Sequence, residues 1–342
     1  MKFNDKIGHP FQVGGIETSV LDDGAGRGVR IAWINTGSGL RYKVVLDRGM
    51  DVAEAFYNQY GLAWISHGGV KAPPASYQYG LDWLRHMGGG LVTTCGLDHV
   101  GSPENDEYGN RGLHGQITFS PASIRCINQP DPAFGKMDFS LTGEMKQSRV
   151  FGLKLDLVRT ISGKLGEPVI RIHDTITNRG NTPAPHMVLY HVNLGWPLVD
   201  EGADILWEGG WDSRGGEQDD AIFHDGGDFK KCQPAMDLHC GTGEACAFID
   251  IESDTAGWCE CGLVNRKIGL KFGLRFRKNQ LPWLINWQHW GKSEYVTALE
   301  PATHPPLGQA PARASKTLIF LEPAEEKEYE LEMFIREIKK GA

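Results

Sequence analysis

Apolar and polar positions alternate most regularly between residues 153 and 177. Leu153, Leu155 and Leu157 alternate with Lys154 and Asp156, the period-two pattern of a half-buried strand. Val169, Arg171, His173, Thr175 and Thr177 then alternate with Ile170, Ile172, Asp174 and Ile176, which gives a second strand one polar and one apolar side. Runs rich in β-branched and aromatic residues predict further strands at VRIAWINTG (29–37), within LRYKVVLDRGMDVAEAFYN (40–58), and at LAWISHG (62–68). GQITFSPASIRCI, MDFSLTGEMKQ, ACAFIDIES, LKFGLRFR, LPWLINWQHW, YVTALEP and KTLIFLEP continue the pattern. The last stretch, EEKEYELEMFIREIKK, has a helix-like composition, but Tyr329, Leu331, Met333 and Ile335 alternate and predict a closing strand. LDWLRHM (81–87) predicts a helical turn or two, and residues 200–250 read as long loops covering a site.

Helices do not alternate with strands, which disfavours a parallel α/β fold. There is no fixed-period repeat and no low-complexity linker. The expectation is one all-β domain over residues 1–342, built as a large antiparallel β-sandwich. The composition agrees with it. Apolar residues make up 40% of the chain, and 44 Gly and 18 Pro supply many turns.

The formal net charge is −8. Without a cluster of basic residues there is little to neutralise phosphates, so a nucleic-acid partner is not expected. MKFNDKIGHPF has no apolar leader core, and no apolar run reaches membrane-spanning length. A cytoplasmic protein with no membrane partner is expected. The cysteines Cys95, Cys126, Cys232, Cys240, Cys246, Cys259 and Cys261 are odd in number and scattered. They predict reduced, mostly buried thiols rather than a zinc ribbon.

Four stretches place polar residues where strands or tight turns would fix them. RHMGGGLVTTCG holds Arg85 and His86 beside three glycines, without the Lys-Ser/Thr ending of a phosphate loop. NRGLHGQI sets His114 between glycines, where a surface turn residue is the plain alternative. In VLYHVNLGWPL, His191 and Asn193 share one strand face and Val192 and Leu194 the other. Paired hydrogen-bonding side chains suit sugar hydroxyls, and a core histidine bonded to backbone remains the other reading. In YVTALEPAT, Glu300 ends an apolar strand, where a carboxylate is costly to bury unless it is paired or used. Among the tryptophans upstream, Trp283 and Trp287 share a face and Trp290 takes the opposite one; Trp290 is assigned to substrate stacking, with a core position as its alternative.

The order RHMGGG, LHGQ, YHVNLG, LEPAT resembles the aldose 1-epimerase (galactose mutarotase-like) superfamily, and especially a divergent bacterial branch of it. IRIHDTITNRGNTPAP also resembles the run into that family's catalytic histidine, and the likeness spans roughly residues 30–320. Only Val192 separates His191 from Asn193, where the family usually has an aromatic pair. The arginine also lies further from the glycines than usual, so Arg48 of LDRGMD is a second candidate for its role. The resemblance implies the galactose mutarotase-like supersandwich and an isomerase of sugar anomers that needs no cofactor and no metal. Glu300 would take the proton from O1, and His191, as imidazolium, would protonate O5. Mutual attraction would keep both groups charged. The ring opens, the C1–C2 bond rotates, and reclosure delivers the other anomer. His114 would bond the sugar near O5, Asn193 would orient His191 or a hydroxyl, and Arg85 or Arg48 would grip hydroxyls or a charged group. The partner is a small sugar, and Arg48, Arg85, Arg111 and Arg214 leave an anionic one among the substrates. Two rival classes remain. One is a non-catalytic carbohydrate-binding protein on the same fold. The other is a metal-dependent sugar isomerase or epimerase drawing on His86, Asp98, His99, His114 and His191.

Overall fold

The alternating segments pair into antiparallel sheets in the computed structural model, which describes residues 6–341. Residues 1–5 and 342 lie outside the described residues; they end the expected span 1–342 and include the start of the stretch read for a leader. The strands Lys154–Lys164, Val169–Asn178 and Glu326–Glu337 lie side by side in an eight-stranded sheet. A seven-stranded sheet is centred on Ala184–Gly195, with Glu294–Ala302 on one side and Thr93–Leu97 and Ile319–Leu321 on the other. A five-stranded sheet forms from residues 15–61 and begins with Gly15–Val20, a strand whose pattern is too polar to show in the sequence. The fold is all-β, a galactose mutarotase-like β-sandwich. No helix among the described residues is long and apolar enough to cross a membrane.

Some segments differ from the sequence expectation. Residues 62–68 make only isolated bridges at Ala63 and Ile65. Ile117–Phe119 is a short 3-10 helix inside the expected strand run. The region 200–250 is less loop-like than its glycines and acids suggest, with strands Asp204–Leu206 and Gly209–Ser213 and helix Glu217–Ile222.

The main core fills the space between the sheets, where Leu155 and Ile172 meet Val192, Leu194 and Leu299. Asp174 sits on the apolar side of its strand, fully buried, because Arg159 meets it there. Arg159 Nε and Nη2 donate to the two Asp174 oxygens at 2.8 and 2.6 Å, and Nη1 donates to Asp51 Oδ1 at 3.2 Å. Tyr190 Oη also donates to Asp174 at 2.7 Å. One charged cluster therefore ties the three large sheets together.

A second apolar cluster covers the outer face of the seven-stranded sheet. Cys95, Leu189, Cys246, Ile285 and Ala302 pack beneath Trp83 and Phe119. Residues Ala184–Gly195 are thus enclosed on both faces, which explains why the strand reads as an apolar run.

Candidate active site

His191 and Glu300 lie on that second, outer face. His191 opposes Thr93 on one neighbouring strand. On the other side Val192 opposes Leu299, so the next pair in the ladder is His191 with Glu300. The side chains meet, with His191 Nε2 3.1 Å from Glu300 Oε1. They are nearly enclosed, at 8% and 3% side-chain exposure.

Aromatic rings surround the pair. The His114 ring stands edge-on to His191 with centroids 6.1 Å apart, and Trp83 lies 5.0 Å from His114. His114 adopts φ +57°, a left-handed conformation uncommon for a residue with a side chain. On the far side the Trp287 ring is 5.5 Å from His191. Trp287 Nε1 donates to Glu244 at 2.7 Å, and Arg214 Nη1 donates to the other Glu244 oxygen at 2.6 Å. Asn193 is fully buried; its Nδ2 donates to Gly90 O and to His191 O, each at 3.0 Å. These bonds fix backbone, and the Asn193 side chain also acts on the His191 ring, opposing the effect of burial. The glycines of the RHMGGG stretch serve close backbone approach. A Cβ on Gly89 or Gly90 would lie 2.6 Å from Trp64 O or 2.9 Å from Val52 O.

Burial sets the protonation of the pair. It pushes His191 down to about 3, with the neighbouring His114 adding to the shift. It pushes Glu300 well above the usual carboxylate range, helped by Glu244 and opposed by Arg214. Burial therefore works against the expected ion pair of carboxylate and imidazolium. On both groups burial favours the neutral form, an imidazole beside a carboxylic acid. The proton count is the same in both forms: one proton shared by two groups. His114 is likewise held down at about 4, by burial first and by His99 second.

Among the described residues, His86 Nδ1, His114 Nδ1, His191 Nδ1, Asn193 Oδ1 and Glu300 Oε1 are buried and make no hydrogen bond. Buried polar atoms are nearly always satisfied, so unpartnered atoms on the adjoining side chains of His114, His191 and Glu300 mark a place where a polar ligand fits.

The other sequence candidates separate. Arg85 extends into solvent at 80% side-chain exposure and pairs with Asp82 at 3.1 Å. Arg48 is buried, with its guanidinium 5.2 Å over the Phe119 ring. Trp290 is 0% exposed and belongs to the core between the sheets, with Nε1 donating to Gln288 at 3.1 Å. Strand alternation turns it away from the pair, and Trp287 is the aromatic beside His191. Trp83 reaches this face from the short helix Trp83–His86, and Glu244 and Arg214 from irregular segments, none of them within a motif that pointed here. Among the described residues no three His, Cys, Asp or Glu side chains gather closely enough to hold a metal ion.

Residues 26–335 match the model of a family described as a domain of unknown function, DUF4432. The chain belongs to that family. Solved structures similar to this DUF4432 chain include one described as a "putative aldose 1-epimerase" from Klebsiella pneumoniae subsp. pneumoniae, with TM-score 0.84 and 22% identity over 94% of this chain and 83% of that one. A galactose mutarotase-like protein from Clostridium acetobutylicum aligns with TM-score 0.66 and 10% identity, over 96% and 100% of the two chains. The galactose 1-epimerase of Lactobacillus acidophilus NCFM aligns with TM-score 0.61 and 11% identity, over 94% and 99%. At these identities the likeness is one of fold. Among curated proteins none is significantly similar to the chain.

Proposed function

We propose that this DUF4432 protein interconverts the anomers of an aldose by acid–base ring opening at His191 and Glu300. The observation that carries the reading is the 3.1 Å approach of His191 Nε2 to Glu300 Oε1 on a face crowded with unpartnered polar atoms. Mutarotation needs one acid and one base, and the pair holds one proton between two groups. With that proton on Glu300, ring opening starts with the carboxylic acid protonating O5 while neutral His191 accepts the O1 proton. Rotation about C1–C2 turns the aldehyde over, and the two groups exchange roles on reclosure. These first-step roles are the reverse of those the sequence resemblance implies. The cause is burial of the pair. His114 and His86 offer imidazole nitrogens to ring hydroxyls, and the face of the Trp287 ring stacks on the sugar's apolar face. Names of structural relatives that refer to aldose 1-epimerase and galactose 1-epimerase support the substrate class.

The test is anomeric exchange measured by NMR on a panel of aldoses. Wild type should accelerate exchange for at least one sugar. His191→Ala and Glu300→Gln should each lower that rate by roughly 10²–10⁴-fold, the usual worth of one positioned acid or base. Exchange that survives both substitutions would end the proposal. Saturation transfer showing sugar binding without exchange in wild type would favour a carbohydrate-binding protein instead.

A further inference from the structure

A second feature lies beside the pair. A cavity of about 160 Å³ is lined by Arg48, Lys43, Glu54, Asp51, Thr93 and Val70 among others. That is far above the roughly 10–15 Å³ one water needs. Arg48 is 6% exposed, yet besides its stacking on Phe119 its guanidinium makes one long hydrogen bond, Nη1 to Lys71 O at 3.5 Å. Buried arginines are ordinarily paired. The acids nearby are already engaged. Asp51 accepts from Thr94, Thr118 and Arg159, and Glu54 is held by Lys43. Among the described residues no carboxylate forms an ion pair with Arg48, so its donors remain available to the cavity.

The cavity comes within one cross-strand step of the proposed catalytic pair. Thr93 lines it and is also the cross-strand partner of His191, and directly opposed residues lie about 4.5–5.5 Å apart at Cα. From the other direction Arg48 covers Phe119, and His86 stands 5.8 Å edge-on to the same ring with Nδ1 unpartnered.

We propose that Arg48 binds the carboxylate of an acidic aldose whose anomeric end lies at His191 and Glu300, which makes uronates the substrate class. This rests on the function proposed above. One unpaired guanidinium matches one negative charge. With Lys43 already neutralised by Glu54, a phosphate dianion would set a second negative charge beside Asp51, so a carboxylate is favoured. The competing role for Arg48 is internal, as counter-charge to the Asp51–Arg159–Asp174 cluster.

D-glucose, D-glucuronate and D-glucose 6-phosphate share a ring and differ at C6, so calorimetric titration of the full chain with the three separates these cases. Glucuronate should bind roughly ten- to hundredfold tighter than glucose, the worth of a forked charged hydrogen bond. Arg48→Gln should abolish that ratio, and Arg85→Gln should keep it. Should Arg48→Gln fail to fold, Arg48→Lys carries the test. It keeps a cation beside Asp51 but lacks the planar fork, so it should fold and lose most of the ratio. Equal binding of glucose and glucuronate overturns the proposal. So does tighter binding of glucose 6-phosphate than of glucuronate, or a ratio that survives Arg48→Lys. A glucuronate preference that depends on Arg48, with no anomeric exchange for any sugar, upholds the subsite and ends the mutarotase reading. Exchange of neutral sugars without a glucuronate preference does the opposite.

Discussion

Replacing Glu300 by Gln separates a buried carboxylic acid from a buried carboxylate without measuring catalysis. Burial raises the Glu300 pKa well above its ordinary value of about 4.5, so between that value and the raised one the native state keeps a proton that the unfolded state releases. The native state then binds more protons than the unfolded state, and the stability contributed by Glu300 is full below about pH 4.5 and lost as pH rises. The slope for one proton is about 1.4 kcal/mol per pH unit. A chain of 342 residues has an unfolding entropy of about 0.7 kcal/mol per degree at its midpoint. The slope is therefore worth about 2 °C per pH unit. Gln does not titrate, and any change in hydrogen bonding it brings is independent of pH. The Tm of Glu300→Gln minus that of wild type should thus climb by about 2 °C per unit from about pH 5 upward until the raised native pKa is reached, read by scanning calorimetry. A difference that stays flat over that range would mean Glu300 is ionised in the native protein and that the neutral resting pair is wrong.

Other consequences follow from the same burial. His186 is fully buried between Leu97 O and Tyr329 Oη and is held down at about 4, by burial first. Its contribution is full above about pH 6.5 and lost as pH falls toward 4, so wild type should lose about 2 °C per unit more than His186→Gln across that window, read by the same calorimetry. Arg159→Met strands Asp174 and Asp51 without their cation and should cost about 3–5 kcal/mol in chemical denaturation; a cost under 1 kcal/mol would show that the cluster is not needed to join the sheets. Trp287→Ala should weaken sugar binding in calorimetry by about tenfold, in line with the 0.5–1.5 kcal/mol of an aromatic contact plus lost area. Equal sugar affinity in the variant would remove Trp287 from the binding surface.

The fold was legible because alternation is a local signal. Leu155 and Leu157, or Ile170 and Ile172, announce a buried face without knowledge of what covers it. The meeting of His191 with Glu300 was legible only through the order of motifs, since neighbouring strands bring together residues more than a hundred positions apart. Protonation was not legible at all. It depends on Cys95, Cys246 and Ile285 enclosing the pair, and on Glu244 and Arg214 arriving from a segment that looked like loop. The aromatic assignment shows the same limit. Alternation had already set Trp287 and Trp290 on opposite faces, but only the packing of the sheets shows which face is core. Asp174 makes the point in reverse, a charge on an apolar stripe that reads as an exception until Arg159 is beside it.

Ring opening at this site requires that a sugar's anomeric centre meet His191 and Glu300 together. A crystal structure of the chain with its tightest-binding aldose tests this most directly. The account predicts O1 and O5 of the ring each within about 2.6–3.2 Å of one of the two side chains, on opposite edges of the C1–O5 bond. A ring bound with C1 turned away from both residues, or held on another face of the sandwich, would contradict it.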